Sequence, residues 1–257
     1  METGPTPWIG ALRRSHDTLH ALVEPLDAGQ LEGRSYASEW TIAQVLSHLG
    51  SQAEIFGLFL DAGLSGGDPP GQDAFLPIWD EWNARSPQAQ AADALRADQA
   101  VVERFGSLDD GQRERLRLAL FGMDLDTTGL ARMRLGEHAI HTWDVAVALD
   151  PAARVAPDAV SLLVDTLGPV AARSGKPGGM VRRLNIVTSS PERHFTLEAG
   201  ETVALEAGER EESLPELRLP AEALVRLVYG RLDPAHTPPV ETREVDLGEL
   251  RQMFPGF

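Results

Sequence analysis

Cysteine is absent from all 257 residues. That removes disulfides, thiolate metal ligands and any protein-borne sulfur nucleophile, so sulfur chemistry here needs a small-molecule thiol. Lysine occurs once, at Lys176, and almost every cation is therefore an arginine. Positive charge is scarce altogether: 39 acidic against 23 basic residues give a net charge of −16. Such a balance argues against nucleic acid or an anionic membrane as partner, and an anionic substrate would need a local cluster of arginines where only scattered ones occur. No apolar run approaches the roughly 18 residues of a membrane-spanning helix. The start, METGPTPWIG, has no basic stretch followed by an apolar one, so no signal peptide is expected and a cytoplasmic location follows. What remains, 42% hydrophobic and 24% charged, is ordinary for a soluble globular chain with one large domain or two small ones.

Helical periodicity dominates the first part of the chain. A first helix is expected from Trp8 to Leu26, and a second from about Thr41 to Leu64, with Ser38 as N-cap candidate and the stop GLSGGDPPGQD after it. The segment AFLPIWDEWNA carries Pro77, which marks a break or an early-turn position. Ser86 and Pro87 read as N-cap and first residue of a helix reaching about Gly106. A brief helix over Asp109 to Leu120 and a long one over Thr127 to Leu149 complete an up-and-down bundle. Asp150-Pro151 interrupts the pattern, which places a domain boundary at 152/153. Beyond it, Pro157 to Arg173 reads as one helix. Period-two alternation then gives strands at 184–188, 194–197, 202–205 and 217–219. A helix over AEALVRLVYGRLDP follows, with Gly230 as its cap. The expected fold is α plus α+β: a helical bundle over 1–152 and a small α+β domain over 153–257.

The chemistry concentrates in GLARMRLGEHAIHTWDVAVALD. At about 100° per residue, Glu137 and His141 stand about 40° apart on a helix, with Asp144 about 20° to the other side of Glu137. Leu130, Met133 and Ala148 share that arc, so an acid and an imidazole lie on an apolar face. A carboxylate buried there without a partner is expensive, and a divalent metal is the simplest explanation. Two ligands one helical turn apart supply half of a tetrahedral zinc site. The best third donor is His48, on the flank of the Ile42, Val45, Leu46, Leu49 stripe of the second helix.

The pairing of Trp40-x(7)-His48-Leu49 with a distant Glu137-x(3)-His141-x(2)-Asp144 resembles the mycothiol-dependent maleylpyruvate isomerase family. The resemblance covers most of the chain. It implies a DinB-like four-helix bundle followed by a sterol-carrier-like α+β domain, a zinc ion held by His48, Glu137 and His141, and mycothiol as thiol cofactor. The partners it implies are that thiol and an electrophilic small molecule, with the sugar part of the cofactor in a cleft between the domains. A monomer or weak dimer is expected. Arg231, in LVYGRLDP, looks like an arginine that the family places close to the end of its second domain, facing the metal cleft; a surface arginine favoured by a helix-terminal dipole is the competing reading.

Other readings compete. Glu137 and His141 are also an ordinary i,i+4 pair, and His48 alone reads as a core histidine satisfied by a neighbour. His138 stands at i,i+3 to His141 and competes with Glu137 as ligand. Asp144 reads as a partner that fixes the tautomer of a ligand imidazole or as half of a structural pair. His16 and His20 read as a half-exposed polar flank, Arg134 as a weak anion-binding candidate, Trp40 and Trp143 as core aromatics, and His194 and His236 as residues without a role. For function, a thiolate at the metal that attacks an electrophile and leaves as an S-conjugate is favoured over cis-trans isomerisation of a maleylpyruvate-like substrate. A non-catalytic binding protein with a structural or absent metal is the alternative from another class. A zinc hydrolase with His138 or His16 as base is a further one.

Overall fold

Side-chain caps start several helices of the computed structural model, which describes residues 4–37, 39–178 and 182–256. Contacts divide the chain into two units, Met1–Arg154 and Val155–Phe257. The first contains α1 (Pro5–Val23), α2 (Ala28–Leu31), α3 (Ile42–Ser65), α4 (Gln72–Ala84), α5 (Pro87–Ser107), α6 (Asp110–Arg115), the strands β1 (Leu118–Leu120) and β2 (Met123–Leu125), and α7 (Thr127–Leu149). Four long helices make the bundle: α3 packs on α5 and α7, and α1 on α5 and α7. Thr41 caps α3 in a reciprocal box with Gln44. The N-cap candidate Ser38 lies outside the described residues. Ser86 caps α5 by accepting from the Ala89 amide, 3.3 Å, and Asp126 caps α7 through the Gly129 amide, 2.7 Å. Gly66, at φ +70°, ends α3 in the left-handed region.

Two segments of this unit differ from the sequence expectation. Pro77 does not break its segment: α4 runs through it, because Phe75 and Trp82 on the same helix are buried and that packing outweighs one lost backbone hydrogen bond. The helix expected to reach Leu120 ends at Arg115. Leu118 and Leu120 are instead inward residues of a hairpin turned at Phe121 and Gly122, both at positive φ. A Phe-Gly pair is not the usual hairpin signal, and Phe121 is exposed.

The second unit holds α8 (Pro157–Leu163), a 3-10 turn (Val164–Thr166), α9 (Leu167–Ser174), β3 (Arg182–Ser189), β4 (Arg193–Ala199), β5 (Val203–Ala207), β6 (Glu216–Pro220), α10 (Ala221–Val228), β7 (Glu241–Arg243) and α11 (Leu247–Met253). The single helix expected over 157–173 is interrupted because Pro169 has no amide hydrogen to continue the ladder. The sheet order is β5-β4-β3-β6-β7, with β3 and β6 parallel and the other pairs antiparallel. All of α10 is buried. The strand β7 has no buried residue to give it an apolar alternation, and neither it nor α11 was visible in the periodicity. The fold is the expected helical bundle followed by an α+β region. Among the described residues no helix is long and apolar enough to cross a membrane.

One close approach in the first unit carries a prediction. A Cβ on Gly50 of α3 would lie 2.2 Å from the Trp82 ring, and that ring is fully buried with its Nε1 donating to Glu54 Oε1 at 2.9 Å. Gly50→Ala gains helix propensity yet is expected to lower unfolding free energy by about 1–3 kcal/mol through overpacking. Urea denaturation of the two proteins measures it, and equal stability would contradict the packing.

Candidate metal centre

Helix α3 supplies His48 and helix α7 supplies Glu137 and His141, and these three side chains converge. Their candidate ligand atoms all lie within 4.8 Å of one another. Glu137 Oε2 is 3.5 Å from His48 Nε2 and 3.7 Å from His141 Nε2, and the two imidazoles meet edge-on with centroids 4.7 Å apart. His141 is buried, while His48 and Glu137 are half-buried, so the group has one side toward solvent. Trp40 flanks both rings, at 5.2 Å from His48 and 6.2 Å from His141. It is 36% exposed, so this indole is a wall of the site and not the core aromatic expected from sequence. Trp143 is a core residue, its Nε1 donating to the Ala153 carbonyl at 3.0 Å.

The protonation states follow from the neighbours. His141 Nδ1 lies 2.9 Å from Asp144 Oδ2. An ionised carboxylate only accepts, so the proton sits on Nδ1 and the Nε2 lone pair points at the cluster. Burial pushes the His48 pKa down against the pull of Glu137, which leaves a neutral imidazole at neutral pH. Burial alone would raise the Glu137 carboxyl. The hydrogen bond that His48 donates when protonated, the charges of protonated His141 and His48, and a hydrogen bond from Gln52 outweigh it at the acid pH where this carboxyl titrates, and hold the pKa at about 2. One carboxylate oxygen and the Nε2 atoms of His48 and His141 therefore face a common point. Ligand atoms on a tetrahedral zinc at about 2.0–2.1 Å stand about 3.3 Å apart, close to the spacings found here. The residues fit a divalent cation, with a position left for a further ligand.

A second cluster has similar ingredients and a different outcome. His16 of α1, Asp98 of α5 and His138 of α7 are all buried. Asp98 Oδ2 lies 2.7 Å from His16 Nδ1 and 2.8 Å from His138 Nε2, while Asp98 Oδ1 accepts from Arg134 Nη2 at 2.7 Å. Ser15 Oγ is 2.7 Å from His138 Nδ1. Those are hydrogen-bond lengths, shorter than the edge of a zinc tetrahedron, and the guanidinium already balances the carboxylate. Burial opposes ionisation of Asp98, but the charges of His138 and Arg134 and the hydrogen bonds from both histidines hold its pKa well below the ordinary range. This cluster is a closed ion-pair network.

That network corrects three expectations. His16 is buried, because Asp98 pairs with it, and is not a half-exposed flank. Arg134 has no exposed surface and serves Asp98, so it offers nothing to an anionic ligand. His138 points into the closed cluster, away from competition with Glu137. His20 stays half-exposed near Glu24. Arg231 belongs to the second unit, where its Nη1 donates to the Tyr229 carbonyl at 2.7 Å, and His236 pairs with Asp233 at 2.8 Å. Asp98 and Gln52 were not singled out from the sequence. Asp98 sits on the buried stripe Ala91, Ala94, Val101, Val102, Phe105, and Gln52 lies one turn after His48, so spacing held a signal for each.

Beside His48 opens a cavity of about 430 Å³, lined by Trp40, Gln44, Ser51, Trp79, Asn83 and Gln90. None of these lining side chains is charged.

Comparison with known proteins adds the following. Residues 12–146 match the family described as mycothiol maleylpyruvate isomerase N-terminal domain. A sequence search of curated proteins gives no match. A crystal structure of the mycothiol-dependent maleylpyruvate isomerase is similar over 91% of this chain and 92% of that one, with a TM-score of 0.66 and 13% identity. A crystal structure of a His-to-Ala mutant of that isomerase is similar over 90% and 91%, with a TM-score of 0.66 and 12% identity. At such identities the likeness is one of fold.

Both depressed carboxyls give the metal-free protein an acid-labile term. A folded-state pKa below the unfolded value of about 4.3 contributes stability above that value and loses it as pH falls toward the folded pKa. For Glu137 the window therefore runs from about 4.3 down to about 2. Unfolding free energy is expected to fall through this window, and to fall less steeply in Glu137→Gln. Chemical denaturation at a series of pH values checks it, and identical slopes would contradict the pairing of Glu137.

Proposed function

The chain belongs to the mycothiol maleylpyruvate isomerase N-terminal domain family, and on that premise we propose that it is a metal- and thiol-dependent enzyme that joins a small-molecule thiol to an electrophile. The observation that carries this reading is the convergence of His48 Nε2, Glu137 Oε2 and His141 Nε2, two imidazole nitrogens and one carboxylate oxygen with a side toward solvent. Zinc is the proposed ion; held there, it would lower the pKa of a bound thiol and so supply thiolate at neutral pH.

The chain's own residues do the rest. Asp144 keeps the His141 proton on Nδ1, which frees Nε2. Glu137 contributes its negative charge without taking up a proton. Trp40 covers one side of both imidazoles and limits water there. The adjoining cavity, with two indoles and several amide or hydroxyl groups, suits a neutral, hydroxyl-bearing thiol, and mycothiol is the proposed one. With no cysteine in the chain, the sulfur must arrive on that cofactor. Its thiolate forms a C–S bond at the electrophilic carbon, and the leaving group departs with the bonding electron pair.

In the alternative reading the sulfur adds to a conjugated cis double bond, the bond rotates and the thiolate leaves again. The family and the similarity to a mycothiol-dependent maleylpyruvate isomerase favour that isomerase outcome. Commitment of Arg134 to Asp98 favours S-transfer to an uncharged electrophile, since this cation is spent before a substrate carboxylate arrives.

Zinc-loaded protein incubated with mycothiol and a neutral alkyl halide is expected to release the thioether, detected by mass spectrometry. His48→Ala is expected to stay folded and lose this activity to background. Full recovery of free mycothiol alongside isomerised maleylpyruvate would replace transfer by isomerisation. Unfolding of His48→Ala would point to a structural metal.

A further inference from the structure

Between the closed network and the metal centre stands one amide, Gln52 of α3. Its Oε1 accepts from Arg134 Nη1 at 3.3 Å, and its Nε2 lies 3.1 Å from Glu137 Oε2 and 3.0 Å from His48 Nε2. We propose that Gln52 is a positioning residue for the metal centre: oriented by Arg134, it holds Glu137 in place and selects the His48 tautomer that carries its proton on Nδ1 and none on Nε2. This rests on the metal reading given above.

The orientation is dictated by chemistry on both sides. A guanidinium has only donors and a carboxylate only acceptors, so the amide cannot be reversed without facing like against like at each end. Arg134 in turn cannot swing away. Its Nη2 donates to Asp98 Oδ1 at 2.7 Å and to the Leu49 carbonyl at 3.0 Å, its side chain has no exposed surface, and its Cζ lies 5.6 Å from the Phe56 ring centroid. Asp98 is fixed by His16 and His138. The buried network thus acts as an anchor, and Gln52 is the arm that reaches the open cluster.

The consequence concerns His48. With Gln52 Nε2 as donor, His48 Nε2 must accept, which puts its proton on Nδ1. Without the amide, His48 and Glu137 have a simpler arrangement at hand: Nε2–H donating directly to Oε2, now 3.5 Å away. That arrangement puts a proton on the nitrogen a cation would use, whereas the amide, which has only N–H groups to offer there, leaves Nε2 unprotonated. Gln52 keeps the two acceptors apart and facing the same point.

Gln52→Leu in the full-length protein tests this, because the residue is only half-buried and the change preserves bulk. Zinc affinity is measured by competition with a chromogenic chelator, and the His48 tautomer of metal-free protein by long-range proton–nitrogen correlation spectra. The expected result is about a 10- to 100-fold loss of zinc affinity, with His48 moving from the Nδ1–H to the Nε2–H tautomer while circular dichroism stays unchanged. A purely structural glutamine would change the melting midpoint and leave the tautomer as it is. Undiminished zinc affinity in Gln52→Leu, or an Nε2–H tautomer in wild type, would overturn this proposal alone. Wild-type protein that takes up no zinc would overturn the metal reading itself, and the proposal with it.

Discussion

Helix α7 is buried along most of its 23 residues, although its sequence carries Arg134, Glu137, His138, His141 and Asp144. In so dry a setting a polar group without a partner costs several kcal/mol, and an unpaired charge more. Each of these side chains must therefore be matched, by α1, α3 or α5 or within α7 itself, and the bundle is arranged to do so. Arg134 and His138 meet Asp98, His141 meets Asp144, and Glu137 meets His48 and Gln52. The helical unit is organised around this obligation as much as around its leucines and phenylalanines.

The same residue types resolve in two ways within one bundle. Around Asp98 the contacts are at hydrogen-bond length and the Arg134 guanidinium balances the carboxylate. Around Glu137 the two histidine nitrogens stand back by a further 0.7–1 Å or so, close to a tetrahedral edge, and their lone pairs face inward. The Gln52 amide donates to Glu137 Oε2 at 3.1 Å, nearer than either histidine nitrogen. A closed network gives rigidity, whereas an open set of acceptors invites a cation. Placing the rigid one directly behind the open one, with Arg134 and Gln52 between them, supports the precise placement that a metal centre demands.

Much of this was legible in the chain itself. The Thr127–Leu149 helix was read with its observed limits, and the spacing of Glu137, His141 and Asp144 on an apolar arc pointed to the centre because helical periodicity is local information. The partner from α3 was harder. His48 lies at the edge of its stripe, and its role rests on the resemblance of Trp40-x(7)-His48-Leu49 to a family motif more than on spacing. The Asp98 network was missed because it joins three helices whose relative rotation periodicity does not give, so His16 looked half-exposed and Arg134 looked available. Pro77 inside α4 and the Phe121-Gly122 turn were misread for a related reason: packing of Phe75, Trp82, Leu118 and Leu120 overrode the local preference. In the second unit, β7 is wholly exposed and offered no alternation to detect.

The central claim is that the acceptors of His48, Glu137 and His141 form a metal site while those of His16, Asp98 and His138 do not. Anomalous diffraction from crystals grown with zinc tests both halves together. The account predicts one strong peak, bonded to His48 Nε2, His141 Nε2 and a Glu137 oxygen at about 2.0–2.2 Å, and none beside Asp98. A peak within the Asp98 cluster, or no peak at either group from fully zinc-equilibrated protein, would contradict it.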